Sequence, residues 1–193
     1  ADAFTGKILS QVNWTRDAAP DIQRSSETSA MERSVASPSL APAQTTYLVF
    51  PFPADSPLDG VPTSVTDPAD VIASPFGWHD TDGVSGAEFT TTRGNNVFAY
   101  ADLAVPNGFG VNDVIAEGGA SLNFTHTADF GQSPATYQDA AITNLFYVTN
   151  RTHDLLYHFG FDEASGNFQA NNYGHGGLGN DYVLAEAQDY SGV

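Results

Sequence analysis

From Tyr137 onward, Ile142, Leu145, Phe146, Thr149, His153, Leu156 and Phe159 recur mostly three and four residues apart, and this pattern constrains the chain more than any other. Side chains so spaced stack on one face of an α-helix. Pro134 suits a first helical turn, where its missing N–H costs nothing, and Ser133 is the available N-cap. Gly160 follows the last apolar residue, where a left-handed C-cap is wanted. The spacing predicts a helix of about six turns over 134–159, long for a globular protein and a natural spine for a domain. Two Asn/Gly-rich turns come next, then a strand-like run, Tyr182-Val183-Leu184-Ala185.

Upstream of the helix the chain reads as short strands. Ala3 to Trp14 forms a hairpin pattern around Thr5-Gly6-Lys7. Residues 17–46 are dominated by Ser, Ala, Thr and Pro with no sustained apolar period, so they read as a linker whose burial cannot offset its ordering entropy. Tyr47-Leu48-Val49-Phe50 is a strand stopped by Pro51 and Pro53, and residues 54–75, with Pro at 57, 62, 68 and 75, read as loops. Val97, Ala99 and Ala101 alternate with Phe98 and Tyr100, and Leu122-Asn123-Phe124 is a further short strand. Strands first and helix afterwards place the chain in the α+β class.

Charge narrows the partners. The chain carries 23 acids against six Lys and Arg, a net charge of -17. From residue 47 on, 18 acids face only Arg93 and Arg151. Such a surface repels nucleic acid and anionic membranes, and no apolar run approaches the ~20 residues of a membrane span. It suits a secreted, extracellular protein. Bound Ca²⁺ would screen clustered carboxylates, but solubility alone accounts for the charge more simply. There is no cysteine, which excludes a disulfide scaffold and a thiol nucleophile. Asn13, Asn123 and Asn150 begin Asn-x-Ser/Thr sequons and are the candidate glycosylation sites. Ala1-Asp2-Ala3-Phe4 has neither the basic region nor the apolar core of a signal peptide, so the chain reads as a processed or excised piece.

His153-Asp154-Leu155-Leu156-Tyr157-His158 looks like a helical zinc motif but has the wrong spacing. Metal-binding helical histidines lie four apart, whereas a spacing of five turns the two side chains about 140° from each other. His153 is therefore expected in the packed interior and His158 near the surface. Asp80-x-Asp82-Gly83 resembles the start of a calcium loop without the later ligands, and a turn built by Asp and Gly explains it more simply. His79, His126 and His175 are expected as solvated or turn residues. No Gly-x-Ser-x-Gly elbow exists, and Gly174-His175-Gly176-Gly177-Leu178-Gly179 is not placed as a dinucleotide loop. On these residues alone the chain holds no complete active site.

Several strings do occur together in a distinctive order. They are Ala141-Ile142-Thr143-Asn144-Leu145-Phe146-Tyr147, His153-Asp154-Leu155-Leu156-Tyr157, Gly160-Phe161, Gly166-Asn167-Phe168-Gln169 followed by Asn171-Asn172, Gly179-Asn180-Asp181-Tyr182-Val183, and Ala187-Gln188-Asp189. Together they resemble the N-terminal part of the catalytic domain of fungalysins, secreted zinc metalloendopeptidases with a thermolysin-like fold. Thr91-Thr92-Arg93-Gly94-Asn95-Asn96 and Gly77-Trp78-His79-Asp80 are similar to earlier family motifs, and Asp2-Ala3-Phe4-Thr5-Gly6-Lys7 resembles the last hairpin of the family's propeptide. His175 stands where Arg is expected, and Tyr190 where Gly is usual.

The resemblance implies three segments: residues 1–16 as the propeptide hairpin, 17–46 as a linker containing the maturation site, and 47–193 as the N-terminal lobe of the peptidase. It implies Zn²⁺ held by a downstream His-Glu-x-x-His helix beyond Val193, so that this chain alone is inactive. The partners it implies are protein or peptide substrates and the remainder of the chain's own catalytic domain and propeptide. It also implies an edge strand that pairs with extended substrate, for which Asn180, Asp181 and Tyr182 are the candidates. An acidic secreted binding module would share the composition but not this motif order. A degenerate paralogue would share the motifs without the zinc helix.

Overall fold

The computed structural model describes residues 44–189 other than 55 and 105. The expected N-terminal hairpin, Asn13, and the linker as far as residue 43 lie outside the described residues.

Strand β1 (Thr46–Val49) buries Tyr47 and Val49 while its alternate residues are only half-buried. It pairs antiparallel with β2 (Thr63–Thr66), and β4 (Asn123–Phe124) pairs with it in parallel on the other side. The sheet order is β2-β1-β4. Strand β2 lies within the stretch expected to be loops. Its sequence, Thr-Ser-Val-Thr, has one aliphatic residue and three exposed positions, so pairing at a sheet edge defines it rather than burial.

Strand β3 (Val97–Ala101) runs parallel to β5 (Val183–Ala187), with Val97 opposite Val183 and Ala101 opposite Ala187. A parallel pair needs a crossover, and here it includes helix α1 (Gln138–Tyr157), which packs on β1, β3 and β5. All five β3 residues are buried, because both faces are covered. Val97, Ala99 and Ala101 join the core that contains Ile142 and Phe146. On the other face the rings of Phe98 and Tyr100 meet Phe109 at 4.9 and 5.3 Å. The α+β class and the strands expected near 47, 97, 122 and 182 are present.

The helix departs from its expected outline at its N-terminus and on its inner face. A 3-10 turn, Pro134–Thr136, precedes α1, and the Ser133 side chain makes no capping bond. Gly160, at φ +91°, terminates the helix as expected. Its N–H donates to the Tyr157 carbonyl while that of Phe161 reaches back to Leu156, closing the last turn in a Schellman arrangement. The buried face, however, is not the expected one throughout. Ile142 and Phe146 are buried, but Leu156 and Phe159 are 41% and 80% exposed, and Asn150 and Asp154 occupy the inner face instead. An apolar period cannot locate a face whose inner positions are polar.

Close backbone packing fixes one glycine. A Cβ on Gly94 would stand 1.8 Å from the Trp78 carbonyl oxygen, which already accepts the Asn95 N–H at 2.9 Å. Gly94→Ala must push these two segments apart, and a loss of about 2 kcal/mol is expected, as for other overpacked sites. Urea denaturation checks this. An unchanged midpoint would mean that the two segments separate freely.

Candidate functional site

The segments that join the sheets to α1 have little regular structure, so their backbone groups need other partners. Asp154, 1% exposed, accepts from three residues outside the helix. Its Oδ2 accepts the Asp70 N–H at 3.0 Å and the Trp78 Nε1–H at 2.9 Å, while Oδ1 accepts the Ser74 hydroxyl at 2.7 Å. One turn earlier, the buried Asn150 donates to the Phe146 carbonyl and accepts from Asn96, which also donates to Ser74 Oγ. Asn95 and Asn171 bond reciprocally through side chain and backbone, at 3.0 and 2.8 Å. Asn171 also donates to the Thr81 carbonyl, and Asn172 to the carbonyls of Gly176 and Leu178. Amide side chains suit this role because each carries both donors and an acceptor. The strings singled out in the sequence thus form one buried polar lattice that ties residues 70–96 and 167–178 to the helix.

The histidines lie apart from one another chemically. The His153 side chain is 8% exposed, with Nδ1 3.1 Å from Asp154 Oδ1 and Nε2 3.2 Å from Gln169 Oε1. His158 is 44% exposed and faces Asp70 at 2.9 Å. Burial alone would raise the Asp70 pKa, but the N–H groups of Ala73 and Ile72 together with His158 outweigh it and hold the carboxyl at about 2. Inner His153 and outer His158 are as expected from their spacing.

His79 is not solvated. It is 2% exposed, its ring stacked against Phe124 and Phe146 at 5.2 and 5.0 Å. Nδ1 lies 3.0 Å from the Arg93 carbonyl and Nε2 2.6 Å from the Tyr47 hydroxyl. Burial pushes its pKa down to about 4, partly opposed by the carbonyls of Arg93 and Thr91. The loop around His79 gives no local sign of this, because the covering rings come from distant parts of the chain. His175 is half exposed but meets the buried Glu163 at 3.1 Å, and the partly exposed His126 has Nε2 3.1 Å from the Glu117 carbonyl.

Asp80, Asp82 and Gly83 do form the expected turn: the Gly83 N–H donates to Asp80 Oδ1 at 2.8 Å, and that of Val84 to Asp82 Oδ1 at 2.7 Å. Burial raises the Asp80 pKa, with the charges of Glu88 and Asp82 acting in the same sense against the Gly83 N–H. Among the described residues, two groups of three metal-type donors lie within reach of a single ion. They are Asp80, Asp82 and Glu88, and Asp102, Glu186 and Asp189. Both sets are wholly carboxylate. They do not fit a zinc centre, which wants imidazole or thiolate among its ligands.

The candidate substrate segment stands just before β5. Asn180 has φ +64°, and its N–H donates to the Ala170 carbonyl; the Asp181 N–H donates to that of Gln169. Asp181 Oδ1 accepts the Gln169 N–H in return. Regular strand begins only at Val183. Asn180 and Asp181 are exposed and Tyr182 is half-buried, its ring lying 5.7 Å from the Arg93 guanidinium. The backbone N–H groups of Asn180 and Asp181 are thus both committed within the chain, while the Asn180 side chain is exposed.

Of the sequons, Asn123 is exposed on β4. Asn150 is fully buried within α1 with both ends of its amide bonded, and a glycan there is incompatible with this packing.

Residues 46–193 match the family model of Fungalysin metallopeptidase (M36). The chain is 44% identical over 155 residues to Extracellular metalloproteinase 2 of Trichophyton tonsurans, covering 78% of this chain and 23% of that protein. It is 43% identical over 149 residues to Extracellular metalloproteinase MEP of Fusarium vanettenii, covering 77% and 23%. With Extracellular metalloproteinase 3 of Trichophyton rubrum the identity is 44% over 152 residues, covering 78% and 23%. The chain therefore spans about a quarter of the length of these relatives. A family match over three quarters of the residues, on a fold whose motif residues interlock as one lattice, shows that this chain belongs to the fungalysin metallopeptidase family.

Proposed function

We propose that this chain is the upstream lobe of a secreted zinc-dependent metalloendopeptidase that cleaves extracellular proteins. The family match from residue 46 onward is the observation that carries the reading. The names of the relatives, extracellular metalloproteinases, support both the activity and the location. In this proposal residues 1–16 end a propeptide, the maturation cut falls within 17–46, and 47–193 carry the lobe. In this proposal the zinc is held by a His-Glu-x-x-His helix that the rest of the enzyme supplies, since these 193 residues contain no such string. The lobe's own contribution is positional: its lattice braces one wall against which a peptide is held. The test is hydrolysis of an unfolded protein by the complete parent protease, with and without a zinc chelator. Activity that survives chelation would sink the zinc assignment, and an inactive but folded parent would mark a degenerate paralogue.

Within this reading, Asn180, Asp181 and Tyr182 form the substrate-facing segment, and Asn180 supplies a side-chain contact to the peptide backbone. Asn180→Ala in the full-length enzyme is expected to lower kcat/KM about tenfold to a hundredfold, the loss of one or two hydrogen bonds in the transition state. Zinc content should not change. An unaltered kcat/KM would remove Asn180 from the site.

A further inference from the structure

We propose that the loop from Asp80 to Glu88 is a calcium site, formed by the carboxylates of Asp80, Asp82 and Glu88. One oxygen from each of the three lies within 4.8 Å of the others, close enough to ligate one ion. The feature that points to an ion is Asp80, and Asp102 of the second group shares it, with Oδ1 buried and unpartnered among the described residues. Asp80 is 0% exposed, and its Oδ2 is buried without any hydrogen-bond partner, while Oδ1 holds the Gly83 N–H. A buried carboxylate oxygen with no donor is costly unless something electropositive meets it. Among the described residues no Lys or Arg does so. The ion pairs among the described residues are made by His126, His153, His158 and His175, none of them with this loop. Arg93 lies over the rings of Phe89 and Phe98, and Arg151 donates to the Pro68 carbonyl.

The loop is closed independently of any ion. Glu88 Oε2 accepts both the N–H and the hydroxyl of Thr81, and the Glu88 N–H donates to the His79 carbonyl. The three carboxylates are thus brought together by the fold, leaving a negatively charged cup. Asp82 and Glu88 are exposed, so the cup opens to water that can complete a coordination shell. Donors that are all oxygen select a hard cation, and an irregular, partly hydrated shell suits the 6–8 ligands of Ca²⁺ better than the strict octahedron of Mg²⁺. The ion would fasten the loop after Trp78, which the lattice around Asp154 holds from its other end.

The test uses the whole 193-residue chain, freed of metal and titrated with CaCl₂ by calorimetry and thermal unfolding. Affinity in the range of about 10⁻⁴ M is expected for an extracellular site of this kind. At 10 mM Ca²⁺ the Tm should then rise by about 5–10 °C. Asp82→Asn and Glu88→Gln, at exposed positions that need not disturb folding, should each weaken binding at least tenfold with little change in the calcium-free Tm. Glu186→Gln, in the second carboxylate group, should leave binding intact. Equal Tm with chelator and with Ca²⁺ would overturn the proposal, as would wild-type binding by the Asp82→Asn/Glu88→Gln double variant. Loss of binding in Glu186→Gln would place the ion at the other group, and equal stabilisation by Mg²⁺ would refute the calcium assignment. None of these readouts depends on peptidase activity.

Discussion

Asp154→Ala is expected to cost about 4 kcal/mol of folding stability, the largest effect of any single side chain in the lattice. The substitution removes the acceptor for the Asp70 N–H, the Trp78 indole N–H and the Ser74 hydroxyl at once. The hydroxyl can turn to another acceptor, but the indole of Trp78, 2% exposed, cannot reach water. Each donor stranded in the interior costs about 1–3 kcal/mol, and the cavity left by the carboxylate adds to it. For a chain of this size the Tm should fall by about 8–16 °C. Asp154→Asn separates the hydrogen bonds from the charge. Its carbonyl can replace Oδ2 toward Asp70 and Trp78, and its amide can donate to the Ser74 hydroxyl, so a smaller loss of about 1–2 kcal/mol is expected. Thermal unfolding of the two variants beside the wild type decides the matter. If Ala and Asn are equally damaging, the charge matters more than the bonds; if both are harmless, Asp154 does not hold the lattice.

This effect also explains why part of the fold was legible in the sequence and part was not. Strands β1 and β3 and the first half of α1 bury aliphatic and aromatic side chains at regular spacing, and a period is readable without knowing what covers it. Beyond Asn150 the inner face of α1 is held by hydrogen bonds. There the apolar residues, Leu156 and Phe159, face outward, so the period points the wrong way. Strand β2 has one aliphatic residue, Val65, too few to make a readable period, and its neighbour β1 defines it. Many of the strings that carry the family resemblance contain Asn, Gln, His and Asp residues to which the sequence assigns no chemistry. In the structure they are the connections between loops that lack ladders of their own. The carboxylates of Asp80 and Asp82 were visible as a turn, but Glu88 completes the cup only through the Thr81 contacts that fold the loop back. The same limit applies to His79, where the residues on either side say nothing of three rings contributed by β1, β4 and α1.

Acid should destabilise the protein through His79. The ring's ordinary pKa of 6.5 falls to about 4 in the folded state, with burial as the main cause. The contacts fit a neutral imidazole: Nδ1–H donates to the Arg93 carbonyl, and Nε2 accepts from the Tyr47 hydroxyl. Between these two pKa values the unfolded chain binds a proton that the folded chain refuses, so stability rises with pH through the window. His79 therefore contributes its full stabilisation above pH 6.5, and loses it progressively as the pH falls toward 4. A shift of that size corresponds to roughly 3 kcal/mol. Urea denaturation at half-unit steps from pH 7 to 4 would show the loss as a falling midpoint. His79→Gln provides the comparison, since it removes the titrating ring while leaving every other ionisable group in place. The variant should be weaker at neutral pH, having lost its stacking on Phe124 and Phe146, yet its stability should fall less steeply with acid. The slope is the diagnostic, because a residue that merely filled space would lower the curve without flattening it. Parallel curves for wild type and variant would show that another group refuses the proton.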